Sequence, residues 1–253
     1  MARDFNGTSN QITHGSNIAF GTAGTISFVV RKGVADSETG WRYVFDTSTR
    51  HLFYKRGGSA EGANTYGVYL NGNLVWDDAT AVANVLTGTD FQVVTITWDD
   101  SDPTTKNRIY RNGVQLATAN VTVGAGTAAS LFMGTRFNGV EHWSGSFAEF
   151  AIWNRKLSAD EVTLLGKFFT PKSIPRGRIF YAPHYGKNSP EPEIDGGKNG
   201  TINGATAYPH PRVFHPNTPQ TFSVAAAAAA GQPIIKRIAT IPFLGGSLRQ
   251  RAF

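Results

Sequence analysis

Side chains that alternate along short runs are the feature that most narrows what this chain can fold into. Trp41, Tyr43 and Phe45 alternate with Arg42, Val44 and Asp46, and Val94, Ile96 and Trp98 alternate with Thr95 and Thr97. Phe150 and Ile152 stand two apart in Phe147-Ala148-Glu149-Phe150-Ala151-Ile152-Trp153. Successive side chains of a strand point to opposite faces, so period two predicts strands with one buried face. Asn71-Gly72, Asn112-Gly113 and Asn138-Gly139 supply the positive φ of tight turns, which joins such strands into antiparallel hairpins. Strands never alternate with helical stretches here, so the expected class is all-β, built of antiparallel hairpins. One helix interrupts the pattern over residues 157–166. Ser158 is its N-cap, Glu161 completes a capping box, Leu157 and Val162 stand at staple positions, and Gly166 is placed to stop it.

Charge and proline divide the chain. Residues 1–166 hold 13 Lys/Arg against 15 Asp/Glu, whereas residues 167–253 hold 11 against 3, so the net charge of +6 belongs to the C-terminal third. Of 12 prolines, 11 follow residue 170, where they remove ladder donors. The expected organisation is a sandwich over 1–166, then a Pro/Gly-rich connector over 167–215 with little regular structure beyond a brief strand at Arg178-Ile179-Phe180-Tyr181. An extended basic and apolar arm follows over 216–253. That arm mixes Ile234, Ile235, Ile238, Phe243, Leu244 and Phe253 with Lys236, Arg237, Arg249 and Arg251 and has no acid. It is too apolar to stay solvated and too short to fold alone, so it is expected to dock on another protein surface. Its cations are spread among aliphatic residues rather than clustered with stacking aromatics, so nucleic acid is not an expected partner. The absence of Cys excludes disulfides and thiolate zinc sites. Met1-Ala2-Arg3-Asp4 opens onto no apolar run, so neither export nor a membrane span is expected.

The order of these pieces resembles a LamG-like (laminin G, pentraxin-related) concanavalin A-like domain, which implies a two-sheet jelly-roll sandwich. Asp4-Phe5-Asn6-Gly7-Thr8 looks like its opening strand and Gly24 to Arg31 like the next. Val93 to Trp98 with Arg108-Ile109-Tyr110-Arg111-Asn112-Gly113 is similar to its central hairpin. The closing runs Leu131-Phe132-Met133-Gly134-Thr135 and Gly145 to Val162 carry the most specific likeness, so the resemblance covers about residues 4–165. Where the family often has two adjacent acids before its last strand, this chain has Ala148-Glu149, and no metal role is carried over to it. The stretch from Arg178 through Asp195-Gly196-Gly197-Lys198-Asn199-Gly200 to Ala205 is similar to connectors that follow such domains in bacteriophage proteins.

Sites can be weighed residue by residue. A glycosidase on this scaffold needs two carboxylates on one cleft, and Glu149 stands alone between Ala148 and Phe150, so it is read as a surface or structural residue and the protein as no enzyme. Asp77-Asp78 and Asp99-Asp100-Ser101-Asp102-Pro103 have the chemistry of calcium ligands, but turn geometry alone favours such residues, and no metal or cofactor is expected. Trp76 beside Asp77 and Asp78, and Trp143 beside His142, fall near predicted loops. For both indoles sugar contact, packing between subunits and ordinary partial burial are all open, while Trp41, Trp98 and Trp153 fit strand cores. The six histidines show no metal-ligand spacing. The function expected is that of a non-enzymatic virion structural protein, a capsid decoration or appendage. It would be assembled in a host cytoplasm, with its arm on other coat subunits or its own copies, and could contact a surface glycan. A free lectin is the first alternative and a glucanase-like hydrolase the second.

Overall fold

The structure is a computed structural model that describes residues 2–15, 17–33, 40–55, 65–76 and 82–215. The arm residues expected from Ile234 to Phe253, and the acids Asp77 and Asp78, lie outside the described residues. In chain order the strands are β1 Ala2–Asn6, β2 Gln11–His14, β3 Ile18–Phe20, β4 Ala23–Lys32, β5 Arg42–Thr47, β6 Leu52–Lys55, β7 Thr65–Leu70, β8 Asn73–Trp76 and β9 Val82–Ala83. They continue as β10 Gln92–Asp99, β11 Asn107–Arg111, β12 Val114–Ala119, β13 Gly126–Ala128, β14 Leu131–Met133, β15 Ser144–Trp153, β16 Arg178–Ala182, β17 Gly200–Asn203 and β18 Thr206–Tyr208. Helix α1, Ala159–Gly166, follows β15.

These strands form the expected two-sheet sandwich. The first sheet runs β12-β11-β10-β4-β15-β1-β18, with β16 also on β15, and the second runs β17-β2-β14-β5-β6-β7-β8, with β9 on β7. Among the described residues the paired strands are antiparallel, as the hairpin signals require; two of these pairs, β4 with β15 and β10 with β4, form the centre of the first sheet. Phe28 of β4 lies at the middle of the core, its ring 5.4 Å from Phe45 and 5.3 Å from Phe53 of the second sheet and stacked 5.4 Å from Phe147. Aromatic rings of this size bury large apolar area, and their interdigitation locks the two sheets face to face.

A second apolar layer lies on the outward face of the first sheet. Val29, Val93, Ala148, Ala151, Trp153 and Tyr181 from the strands pack with Leu157, Val162 and Leu165 from the α1 region and with Ile174. The capping box is formed as expected, Ser158 Oγ accepting from Glu161 N and the Glu161 carboxylate from Ser158 N. Gly166 acts differently from expectation. It is the last helical residue, and the left-handed residue beyond it is Phe168 at φ 63°. A Cβ on Gly166 would stand 2.2 Å from Gly113 N, so the glycine is needed for close approach of the helix to the β11–β12 turn.

Residues 167–215 correct the expected connector, because they are woven into both sheets. β16 pairs with β15, β17 with β2 and β18 with β1, and the compact unit runs to Pro216. The prolines do not prevent this, since all three strands are short and fall between them. Polar contacts fasten the strap. Arg3 Nε donates to Glu191 Oε2 at 2.7 Å in a nearly water-free ion pair, and its other nitrogens reach Ala205 O and Asn188 O. The Glu193 carboxylate accepts from the backbone N–H groups of Tyr181, Asp195, Gly196 and Lys198, which shapes the Asp195-Gly196-Gly197-Lys198 turn. Burial works against ionisation of Glu193, but those four donors hold its carboxyl below the usual range.

Candidate functional site

The outward face of the second sheet carries a second aromatic group. Tyr43, Leu52 and Tyr54 are buried there, with half-buried Trp41 and Tyr69 packed against them. Register explains the cluster. Tyr43 is directly opposite Tyr54, and Leu52 is opposite Tyr69, so four side chains converge on one face while Phe45, Phe53 and Val68 point into the core. Tyr54 is also opposite Gly67, where a Cβ would come within 2.2 Å of the tyrosine Cζ and hydroxyl. The missing side chain at Gly67 is the slot across which the Tyr54 ring lies flat. Ring centroids are 5.1 Å apart for Trp41 and Tyr54, 5.3 Å for Tyr43 and Tyr54, and 6.3 Å for Tyr54 and Tyr69.

Charged groups rim this platform. Trp41, Tyr43, Arg50, Tyr69, Arg136 and Glu141 line a shallow concavity of about 270 Å³. Arg136 pairs with Glu141 at 3.0 Å and lies 5.5 Å from the Tyr43 ring centroid. The Arg50 guanidinium carbon lies 4.5 Å over the Tyr69 ring. Phe137 is 43% exposed and Val140 46% exposed on the adjoining loop, which ends at His142, whose backbone bridges to Tyr43. Burial pushes the Tyr43 hydroxyl up to about 12, against the pull of Arg136, and pushes the Asp46 carboxyl up to about 6. Asp46 is fully buried, and its two oxygens accept from the backbone N–H groups of Thr47 at 2.7 Å and Phe137 at 3.1 Å.

The residues singled out from the sequence are distributed differently. Trp76 is 3% exposed at the end of β8 and Trp143 is 1% exposed, both inside the main core. A buried indole cannot lie on a sugar, so of the three readings open for these residues burial is the one observed. His142 is half-buried and, among the described members of that group, is the one beside the platform. Trp98 and Trp153 are core residues as expected, but Trp41, grouped with them, is half-buried on the platform. Sequence reasoning missed the platform because it assigned one buried face per strand. The available signal was aromatic or aliphatic residues at both parities, in Tyr43-Val44-Phe45, Leu52-Phe53-Tyr54 and Val68-Tyr69, which implies strands apolar on both faces.

Glu149 is structural. It stands at φ 52° in a β-bulge of β15 between Ala148 and Ala151, which turns an extra side chain toward the outward face. There it is 2% exposed and accepts from Tyr181 OH at 2.6 Å and Thr170 Oγ1 at 3.1 Å, with His210 Nε2 3.3 Å from its other oxygen. The Asp99 to Asp102 run is a turn. Asp99 accepts from Ser101, Asp100 from Val123 N and Gly124 N, and Asp102 from Thr104 N, Thr105 N and Arg108. Among the described residues, no three His, Cys, Asp or Glu are grouped as metal ligands.

Comparison with known proteins places this geometry. A family model described as the concanavalin A-like lectin/glucanases superfamily matches residues 6–163. No curated protein matches the sequence. Among solved structures, one from Bacteroides ovatus, named for carbohydrate binding, superposes with a TM-score of 0.61 at 17% identity, covering 81% of this chain and 58% of that one. A heptameric SAP-like pentraxin from Limulus polyphemus superposes with a TM-score of 0.52 at 16% identity, covering 79% of this chain and 93% of that one. At such identities the likeness concerns the fold.

Proposed function

The chain belongs to the concanavalin A-like lectin/glucanases superfamily, and from that premise we propose that it is a non-catalytic carbohydrate-binding module whose site is the Trp41–Tyr69 platform. The observation that carries this reading is a pair of half-exposed rings, Trp41 and Tyr69, bordered by two guanidinium groups and a carboxylate. Aromatic faces stack on the C–H faces of sugar rings while fixed polar groups at the rim bond the hydroxyls. The Bacteroides ovatus structure of similar fold, named for carbohydrate binding, supports the same reading.

The superfamily also contains glucanases, so the acids of the platform have to be weighed as catalysts. Asp46, with its carboxyl raised to about 6, has the proton affinity of a general acid. Its oxygens are turned into the backbone of Thr47 and Phe137, however, and the neighbouring Glu141 is held by Arg136. Neither is presented to a glycosidic bond, and Glu149 is sealed beneath Thr170 and Tyr181. The test is a polysaccharide binding assay alongside a reducing-sugar assay. Saturable binding lost in Trp41→Ala and Tyr69→Ala, with no sugar released, supports the module. Release of sugar that disappears in Asp46→Asn would replace it with a hydrolase.

A role for the module within a virion is a finer reading, supported by the composition of residues 216–253, which carry Lys236, Arg237, Arg249 and Arg251 and no acid. In that reading the arm anchors the sandwich to coat subunits while the platform faces outward. Truncation at Gly231 followed by sedimentation tests it: loss of assembly supports anchoring, and an unchanged sedimentation profile removes it.

A further inference from the structure

Resting on the reading of the concavity as a saccharide site, we propose that Asp46 is its positioning residue: the buried carboxylate holds the loop that carries Arg136 and Glu141, and protonation of that carboxylate slackens the site. The carrying observation is a bridge between two elements. Asp46 stands on β5, opposite Phe132 of β14, and is fully buried. One of its oxygens accepts from the adjacent Thr47 N at 2.7 Å, and the other accepts from Phe137 N of the loop at 3.1 Å. The two ends of the loop are fastened separately, Gly134 N donating to Val44 O and Tyr43 N to Glu141 O. Its tip is otherwise closed on itself, with Arg136 N and Thr135 Oγ1 donating to Val140 O, and Gly139 N to Arg136 O. Among the described residues, Phe137 N to Asp46 is thus the one hydrogen bond from residues 136–140 to the sheet. Arg136 is the next residue, and its guanidinium pairs with Glu141 and lies 5.5 Å from the Tyr43 ring.

The chemistry of the bridge requires the ionised form. A carboxylate accepts at both oxygens, whereas a carboxylic acid turns one of them into a donor, and both partners of Asp46 are themselves donors. Thr47 N stays close because it is the next residue in the chain, so the bond that yields on protonation is the one to Phe137. Burial favours the neutral acid, and the Phe137 and Thr47 N–H groups with the charges of Arg136 and Arg50 work against it, which leaves the carboxyl at about 6. Stability and site geometry therefore pull in opposite directions: protonation relieves the buried charge and releases the loop. The other titratable groups on this face are Tyr43, pushed up to about 12; Glu141, paired with Arg136; His51, lowered to about 3, whose backbone N–H donates to Thr47 Oγ1; and His142 at the end of the loop. Tyr43 and His51 stay neutral across the range in which Asp46 changes charge.

The experiment is calorimetric titration of the full chain with neutral oligosaccharides of glucose, galactose, mannose and xylose, whose own charge does not vary with pH. It runs at constant ionic strength between about pH 7.5 and 5, in the wild type, Asp46→Asn and His142→Gln. The expected result is that the affinity of an oligosaccharide that binds falls about tenfold toward acid, the worth of one hydrogen bond in the site. The midpoint is expected at about 6. Asp46→Asn is expected to bind with the weaker affinity at every pH, because an amide, like the protonated acid, offers one acceptor and a donor. A second readout serves if Asp46→Asn does not fold: in the free wild type the Phe137 amide proton resonance is expected to titrate with the same midpoint. By linkage, bound oligosaccharide is expected to lower that midpoint by about one unit, the reciprocal of the tenfold change. Affinity that is flat with pH, a slope that survives Asp46→Asn or vanishes in His142→Gln, or a Phe137 resonance indifferent to pH overturns the role of Asp46 while leaving the platform standing. Binding of none of these oligosaccharides, or binding insensitive to Tyr69→Ala in a variant with an unchanged circular dichroism spectrum, removes the platform and this inference together.

Discussion

Trp153 and Tyr69 both stand on outward faces of the sandwich, one on each sheet, yet Trp153 is fully buried and Tyr69 is half-buried at a concavity. The two faces begin alike, as apolar stripes opposite the core. On the first sheet the chain returns over its own stripe with α1 and the segment to Ile174, and Trp153 Nε1 donates to Ile174 O at 2.8 Å. On the second sheet the stripe likewise mixes aromatic and aliphatic residues, but among the described residues no helix is laid over it. The difference teaches that cover rather than composition separates the roles: Trp153 and Tyr181 are sealed beneath a helix and make a structural layer, while Trp41 and Tyr69 stay half-buried at a concavity rimmed by Arg50, Arg136 and Glu141.

The largest expected effect tests the sealed face. Trp153→Ala removes a fully buried indole and its bond to Ile174 O, and is expected to cost about 3–5 kcal/mol of unfolding free energy in urea titration. A loss under about 1 kcal/mol, inside the range of surface substitutions, would show that the helix layer is loose and the two faces are equivalent.

Acid is expected to loosen the strap before the platform. Burial lowers His14 to about 4 and lowers His184, which also faces His14, Arg3 and His210, well below its ordinary value, and both stand at the strap; His51, lowered to about 3, directly precedes β6 on the platform side, where Asp46 opposes it. A histidine with a depressed folded pKa binds more protons when unfolded. Its contribution is therefore complete above pH 6.5 and is lost as pH falls toward the folded value. Asp46 acts with the opposite sign: with its carboxyl raised to about 6, protonation between pH 6 and 4 relieves the folded state. His14 Nδ1 donates to Lys198 O at 2.8 Å, and β2 pairs with β17 at His14 and Gly200. Hydrogen exchange at pH 7 and 4.5 should show β16 to β18 losing protection ahead of β5 to β7. Uniform loss, or loss led by β5 to β7, would reverse the ranking.

Much of this contrast was legible in the sequence, unevenly. The period-two runs and the Asn-Gly turns specify antiparallel pairing, and the Ser158–Glu161 capping box places α1, because both signals are local. The strap was illegible because its pairing is remote: β17 finds β2 and β18 finds β1 across nearly two hundred residues, and proline content masks such short strands. The platform was hidden for a different reason. The outward aromatic group depends on a register shift between Tyr43 and Phe45 and on the empty position at Gly67 beneath Tyr54, neither of which leaves a periodic trace.

Gly67→Ala tests that empty position. The new Cβ would stand about 2.2 Å from Tyr54, so the ring has to lift, at a cost of about 1–3 kcal/mol for overpacking and with a tilt in the whole aromatic stack. Near-ultraviolet circular dichroism and ligand affinity should change together. A change in stability with unaltered affinity would separate the platform from the binding surface.

The smallest expected change in stability is the sharpest test of the comparison. Tyr69 packs against buried residues but is itself half-buried, with Leu52 opposite it, the Tyr54 ring 6.3 Å away and Arg50 4.5 Å above. A cross-strand pair contributes roughly 0.2–1 kcal/mol and an exposed cation–π contact about 0.5–1 kcal/mol. Tyr69→Ala is thus expected to cost about 1–2 kcal/mol in urea titration, well below Trp153→Ala, while abolishing glycan binding that Trp153→Ala leaves measurable below its midpoint. Tyr69 lines the concavity and positions Arg50 at its rim, so function falls further than stability. A loss as large as that of Trp153→Ala would mean that Tyr69 serves the fold, and that the open face is a structural layer like its counterpart.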